Sequence, residues 1–423
     1  MTRRKEAGQA LIFGVVTLGL LLMGFAGLGI DIGYLRYEKR IQQTATDSAA
    51  LAGAAELPYA LSGSPTAAGG HAATLNGFTG PIGTGCPPPA PAAALGSVAV
   101  TVNNPPCSGP HNGDADYVEA YVAKVQPTFF MKVLGVHTQT VTARAVAYWG
   151  TGNGNSCLFT LGNPGPGIQG ITVSGTPTLN APTCGIVDNG NFCTNGNKLN
   201  VTAGAIGVAG SAGGPGNSCS GGTVTPEPIP GIAPAGDPLG FLTPPGIGAS
   251  NGALSITSST TVSPGTYTSI SVSGASGNVV FSPGTYIVTN GLSITGNENV
   301  SGDGVTFYVA GGGVDVHGGG SVTLSAPTTG TYAGILFYQS PSDTTAATIN
   351  GNSTSYFEGA LYFPKAALDF SGTSGSTSFN SGADYTVIVS AALTVSGNAT
   401  VNLHSDFSSL PSGSPIQTTV LVE

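Results

Sequence analysis

SPGTYTSISVSGASGNVVF, residues 263–281, runs directly into SPGTYIVTNGLSITGNENV, residues 282–300. Both stretches open on SPGTY, and Pro264 and Pro283 stand 19 residues apart. Within them Val, Ile, Thr, Tyr and Phe form short runs cut by Gly, Asn and Ser, the texture of brief strands and turns. The theme continues less regularly in VTFYVAGGGVDVHGGGSVTL (305–324), STSYFEGALYFPKAALDFSG (353–372) and ADYTVIVSAALTVSGNATVNL (383–403). Coils of about twenty residues with two or three strands each suit a parallel β-helix or β-solenoid, because every coil satisfies its backbone through its neighbours. Residues 150–423 are therefore expected to be mainly β and solenoidal, with a β-sandwich as the alternative. The segment TVTPEPIPGIAPAGDPLGFLTPPG (223–246) is too proline-dense for regular coils and reads as a protruding loop or a joint.

Outward from this region, composition agrees. The 423 residues include 67 Gly and 30 Pro, with only 7% charged and 40% apolar side chains, which argues against disorder and against an ordinary enzyme core. The formal net charge is -9, and from Gly150 onward Lys198 and Lys365 are the only basic residues, so this part has no electrostatic footprint for nucleic acid. Cys86, Cys107, Cys157, Cys184, Cys193 and Cys219 form an even set without zinc-type spacing. They are read as disulfides of an oxidising compartment, most simply between sequence neighbours, with buried free thiols as the other reading.

At the other end, Ala10 through Leu20 to Ile30 carries no charge, and 21 helical residues rise about 31 Å, enough for a bilayer core. This is longer than the apolar part of a cleaved signal and reads as a retained single-pass anchor. Arg3, Arg4 and Lys5 before it are matched by Arg36, Lys39 and Arg40 after it, so the positive-inside count is tied. The cysteines break the tie in favour of a cytoplasmic N-terminus with the long C-terminal part outside. Beyond the span, Ile30, Tyr34, Tyr37, Ile41, Thr44, Ser48, Leu51 and Ala55 recur at steps of three and four, predicting one continuous helix from about Gln9 to Leu57. Two readings stand for its outer half. It docks on its own globular domain, or it packs against neighbouring subunits through Gly29, Gly33, Tyr34, Tyr37, Ile41, Ala45, Ala49 and Ala52.

Residues 58–149 read as a small α+β unit. SVAVTVNN, DYVEAYVAKVQ and TQTVTARAVAYW alternate like strands, while PTFFMKVLGV places Pro127 at a helix start. The stretch from Pro58 to Pro110 is rich in Ala, Gly and Pro, with CPPPAPAAALG as its clearest loop, and Cys86 and Cys107 bracket the first strand.

The stretch GQALIFGVVTLGLLLMGFAGLGIDIGYLRYEKRIQQTATDSAALAGA, residues 8–54, resembles the N-terminal segment of TadG-like proteins of the Flp (tight adherence, Tad) pilus system. The likeness rests on Gly8-Gln9-Ala10 before the apolar run, on Gly27-Leu28, Asp31 and Gly33 at its exit, on Lys39-Arg40, and on Ala45, Asp47, Ala49 to Gly53 and Ala54. It implies a bacterial surface protein that assembles, anchors or forms a minor component of such a pilus, with the membrane and pilin or assembly proteins as partners. It also implies a pilin-like long helix and a pseudopilin-like head for 58–149. Prepilins of the system resemble one another in a Glu five positions after the cleavage Gly. Here that position is Phe13, so the N-terminus is expected to stay uncleaved.

No pattern for catalysis, a metal or a cofactor stands out. Asp303, Asp315, Glu358 and Asp369 are candidate carboxylates for a polysaccharide-active enzyme, but spacing alone does not pair them. Gly248-Ala249-Ser250-Asn251-Gly252 meets G-x-S-x-G without the strand and helix a nucleophile elbow needs. AGGGVDVHGGG is one imperfect copy of a calcium-binding repeat, and His71, His111, His137, His317 and His404 have no ligand spacing. Tyr308, Phe337, Tyr338, Tyr356, Phe357, Tyr362 and Phe363 cannot all point into a solenoid, so some are expected to be exposed. They either cover an apolar face under a loop or form a surface for carbohydrate or a protein partner. The reading that results is a non-enzymatic, membrane-anchored pilus-system protein. A free-standing β-helical adhesin and a polysaccharide-active β-helix are its rivals.

Overall fold

The computed structural model describes residues 3–57, 64–150, 156–162, 169–213, 219, 221–232, 234–350, 355–379 and 383–422. The chain divides into two compact units, Met1–Gly150 with Thr418–Glu423, and Thr151–Gln417.

In the first unit, α1 spans Arg3–Ala55 without a break, and the boundary at Pro58 lies outside the described residues. By length and composition it is the one helix among the described residues able to cross a membrane. The side chains of Ala10 and Leu20 lie outside the described residues, whereas Ile30 is exposed. Past Ile30 the helix turns a stripe of small and polar residues inward, Asp31, Gln42, Ala45, Thr46, Ala49, Ala50 and Ala54. Their recurrence at three and four residues keeps them on one face.

That face meets α2, Ser64–Leu75, and a sheet of β1 (Ile82–Gly83), β2 (Val98–Asn103), β3 (Tyr117–Pro127), β4 (Thr138–Gly150) and the C-terminal strand Thr418–Leu421. The pairings are antiparallel except β1 with β2. Because the helices meet backbone to backbone, their contact tolerates no bulk. A Cβ on Gly69 would stand 2.7 Å from the Ala49 carbonyl oxygen.

Two local expectations are corrected. α2 lies in the Ala-, Gly- and Pro-rich stretch where no helix was expected, since Gly69 and Gly70 depress helix propensity but are required by the close approach. PTFFMKVLGV is not a helix: Pro127 ends β3, and only one 3₁₀ turn, Met131–Leu134, follows, closed by Gly135 at φ 87°.

The second unit is a large parallel β-ladder. Ile270 pairs with Leu292 and Leu292 with Val314, while Val300 pairs with Val322, each a step of 22 residues. The literal 19-residue repeat of SPGTY is not the structural period at that point, because Gly265 pairs with Tyr286 rather than Gly284. Beside it the Tyr286 hydroxyl lies within hydrogen-bond distance of the carbonyls of Val262 (2.8 Å) and Ser282 (2.7 Å), sharing its one proton between them.

The ladder is not in chain order. The first strands of this unit join the end of the last long one, Thr386–Asn402, with Ile388 paired to Leu158, Leu393 to Ile171 and Val401 to Leu179. The strands between Ser156 and Pro230 thus extend the stack beyond its C-terminal end, and the chain must travel back to begin again at Ala253. The proline-rich segment makes that journey. Asn189 exchanges two hydrogen bonds with Ala235, Tyr362 donates to Asp237 (2.7 Å), Tyr338 to the Leu242 carbonyl (3.0 Å) and Tyr332 to the Thr243 carbonyl (2.8 Å), before Asn251 reaches Thr266. It is neither a protruding loop nor a joint but a strap along the ladder. Its first residues, Thr223–Thr225 and Ile229–Pro230, are short strands on Asn200–Val208. Prolines suit the rest, which runs across the strands and takes its bonds from side chains, so missing N–H donors cost nothing.

The strap also corrects the aromatic expectation. Phe307, Phe337 and Phe363 stack inward with ring centroids 5.6 and 6.3 Å apart, extending from Tyr286. Tyr308, Tyr338 and Tyr362 form a second row at 5.0 and 5.1 Å on the opposite face. Neighbours along each strand do face opposite ways, yet these six residues and Phe357 are all buried, leaving only Tyr356 half-buried. The tyrosine row lies beneath the strap, whose Asp237 and Leu242 receive its hydroxyls.

Candidate functional site

The most highly constructed part of the first unit is the contact between α1 and the loop that joins β3 to β4. Asp31, buried, accepts the backbone N–H groups of Phe129 (2.8 Å), Phe130 (2.9 Å) and Met131 (2.6 Å). These donors open the 3₁₀ turn and lack partners within it, so one carboxylate from a residue 98 to 100 positions away acts as its cap. One turn earlier, a Cβ on Gly27 would lie 2.5 Å from the Phe130 ring, so only glycine admits that ring. One turn later, the Tyr34 ring meets Phe129 edge-on at 5.3 Å and its hydroxyl donates to Gln126 (3.2 Å), whose amide donates to Glu38 (2.7 Å). Gly27, Asp31, Tyr34 and Glu38 are therefore one stripe of the helix, holding the end of β3 and the loop.

A second polar centre lies toward the start of β3. Glu119 is fully buried and receives Arg144 Nε (2.7 Å), the Cys107 N–H (2.9 Å), Ser108 (3.0 Å) and Tyr121 (3.1 Å). Burial by itself would raise this carboxyl, but the Cys107 N–H and the Arg144, Ser108 and Tyr121 groups hold it below the usual carboxylate range. The bond to Cys107 ties it to the Cys86–Cys107 disulfide, which ends near β2.

The helix residues expected to form subunit contacts divide. Ala45 and Ala49 are buried in the unit's own core, Tyr34 and Ala52 are half-buried, and Gly29, Gly33, Tyr37 and Ile41 are exposed. The alanine part of the stripe is thus occupied by the chain's own sheet and α2. What remains open to another molecule is the exposed group, with Tyr37 at 60% exposure. Sequence reasoning singled out Asp31 only through a resemblance, and missed Glu38, Glu119 and Gln126. Their partners are distant in the chain, and no local pattern announces them.

In the second unit, most of the candidate side chains singled out from the sequence have other partners. Ser250 sits in an extended loop, bonded to Thr268 (3.0 Å) and to the Gly252 N–H (3.0 Å), with no helix after it. Asp303 takes the Ser325 hydroxyl, Glu358 that of Tyr356, and Asp315 pairs with His317 at 2.7 Å on the surface. Asp369 keeps one oxygen buried without a hydrogen bond among the described residues, and burial raises its carboxyl. Among the described residues no group of three His, Cys, Asp or Glu is placed to hold a metal ion. The remaining cysteines are joined as Cys157–Cys184 and Cys193–Cys219.

Residues 8–56 match the family model described as "Putative Flp pilus-assembly TadE/G-like". The matched stretch covers α1 from Gly8 to its end, including Gly27, Asp31, Tyr34 and Glu38. No curated protein and no solved structure matches the chain.

Proposed function

We propose that this chain is a non-enzymatic, membrane-anchored component of a Flp/Tad-type pilus system, which assembles or anchors the filament rather than forming its shaft. The observation that carries the reading is the coincidence of the family match at 8–56 with α1, a helix whose inner half is long and apolar enough to span a bilayer and whose outer half is built into a folded head. The N-terminus lies in the cytoplasm and the chain beyond the span lies outside it, an orientation supported by three disulfides. Residues 58–149 form the pilin-like head on α1, and the second unit winds as a β-solenoid of about 22-residue coils, a reading supported by its parallel register. Partners from the pilus apparatus meet the open helix surface at Gly29, Gly33, Tyr37 and Ile41, and the solenoid extends any adhesive reach from the membrane.

The test is mass spectrometry of filaments sheared from cells, set against washed membranes, in the wild type and in Tyr37→Asp. The intact chain should be found in the membrane fraction, and Tyr37→Asp should reduce surface pili while leaving the chain folded. A chain recovered in the filaments with its N-terminus cut after Gly8 would make it a minor pilin instead. Undiminished piliation after deletion of the gene would overturn the pilus role and leave the free-standing adhesin and the polysaccharide-active β-helix.

A further inference from the structure

The loop 128–137 exposes what a soluble loop hides. Val133 is 83% exposed, Leu134 80%, Phe130 48% and Phe129 45%, in a chain whose aromatic residues are otherwise largely buried. These side chains do not face open water alone. Phe130, Met131, Val133 and Leu134 wall one side of an apolar cleft of about 610 Å³, and Thr17, Met23, Gly24, Phe25 and Leu28 of α1 wall the other. The helical wall belongs to the stretch read as crossing the bilayer, and Gly27, against which Phe130 packs, lies about 6 Å below Asp31 along the helix axis. Apolar residues of the loop and of the anchor are therefore at one level.

We infer that this loop is a second membrane contact: a hydrophobic foot that dips into the outer edge of the same phospholipid bilayer the anchor crosses, with the cleft filled by acyl chain. The inference rests on the anchoring reading above. Irregular backbone enters hydrocarbon only when its polar groups are already bonded. The loop meets that condition to an unusual degree. Asp31 takes three of its N–H groups, Val133 N–H donates to the Phe130 carbonyl, Gly135 to Lys132, Val136 to Met131 and Thr128 to His137. Lys132 is exposed on the same turn and long enough to raise its ammonium to the phosphate level, while Arg36, Tyr37, Lys39 and Arg40 lie exposed on the next turns of α1, where headgroups would begin. The chemistry that fits is thus hydrocarbon beneath and anionic phosphate above, continuous with the anchor. Asp31 is a positioning residue in this arrangement: it fixes the foot to the helix so that head and membrane keep one angle.

The experiment places single tryptophans in the full chain reconstituted in phosphatidylcholine vesicles, with and without bromine on the acyl chains. Trp149, the only native tryptophan, is first replaced by Phe. Leu134→Trp and, as a second position, Val133→Trp should emit at short wavelength and lose most of their intensity in brominated vesicles, as Leu22→Trp within the anchor does. Asn112→Trp, exposed before β3 at the opposite end of that strand, should stay red-shifted and unquenched. If Leu22→Trp is quenched and both loop positions are not, the foot is overturned while the anchor stands. Short-wavelength emission without quenching would also overturn it, since a protein rather than lipid then covers the loop. If Leu22→Trp itself escapes quenching, the anchoring reading fails first.

Discussion

The two units solve the burial problem in opposite ways. The first is filled with small side chains, Ala45, Ala49, Ala50, Ala54, Ala120, Ala145 and Ala147 among them, so that helices and sheet approach closely. It compensates with buried carboxylates, Asp31, which takes three backbone N–H groups from a loop about a hundred residues away, and Glu119, which gathers donors from Cys107, Ser108, Tyr121 and Arg144. The second stacks bulk on bulk, with Phe281, Tyr286, Phe307, Phe337 and Phe363 in consecutive contact along the ladder. Stability there comes chiefly from repetition of nearest-neighbour contacts, with buried Asp188, which accepts the Thr160 hydroxyl and the Gly190 and Ile171 N–H groups, as a polar tie among them. The lesson is that the first unit is held by specific bonds that fix one geometry, whereas the second is held mainly by repeated contacts that tolerate extension.

The sharpest way to break this contrast is Phe337→Ala. The ring is fully buried between Phe307, Phe357 and Phe363, and its loss should cost the second unit about 3–5 kcal/mol. Calorimetry of the full chain should show one transition moved and the other in place. Equal displacement of both would mean that the two interiors do not melt as separate materials.

A smaller effect tests the first unit. Glu119→Gln keeps the shape but removes the charge that Arg144, Ser108, Tyr121 and the Cys107 N–H converge on, and should cost about 1–3 kcal/mol at neutral pH. The pH dependence gives its signature. The folded-state carboxyl is held below its unfolded value, so its contribution is complete above the ordinary Glu range near about pH 4.3 and is lost as pH falls through the folded value. The wild-type first unit should therefore lose stability on acidification below about pH 4, and the variant should show a flatter acid limb. An unchanged limb would mean that Glu119 is not the group being titrated.

These same residues mark what was legible in the sequence. α1 was readable because a 3.6-residue period and an uncharged run are local signals, and it runs Arg3–Ala55 against the expected Gln9 to Leu57. The β character beyond Gly150 was readable from strand texture. Its order was not, because parallel strands record no register in their neighbours, and nothing in Leu158 or Ile171 announces partners at Ile388 and Leu393. α2 was hidden by the glycines that its contact with Ala49 demands. At the candidate site, Gly27 and Asp31 were visible as parts of a resemblance and Tyr34 through the helical period. The capping of a loop about a hundred residues away follows from tertiary geometry alone.

The smallest expected effect concerns the strap, where the second unit borrows the first unit's strategy. Burial pushes the Asp237 carboxyl upward, against the Tyr362 hydroxyl and the Leu239 N–H that favour its charged form. Tyr362→Phe leaves the ring in its row and deletes one bond, worth about 1 kcal/mol. The thermal midpoint of the unit should barely move, since the aromatic stack is intact. Local opening should change more, because between Ala235 and Asn251 the strap is held by a handful of such bonds rather than by a ladder. Limited proteolysis should therefore cut within 235–251 faster in Tyr362→Phe than in wild type, and faster still when Tyr338→Phe is added and the bond to Leu242 goes with it. Were cleavage unchanged in the double variant, the strap would owe its place to the apolar contacts of Leu239, buried at its centre, and the contrast between polar ties and stacked bulk would hold even there.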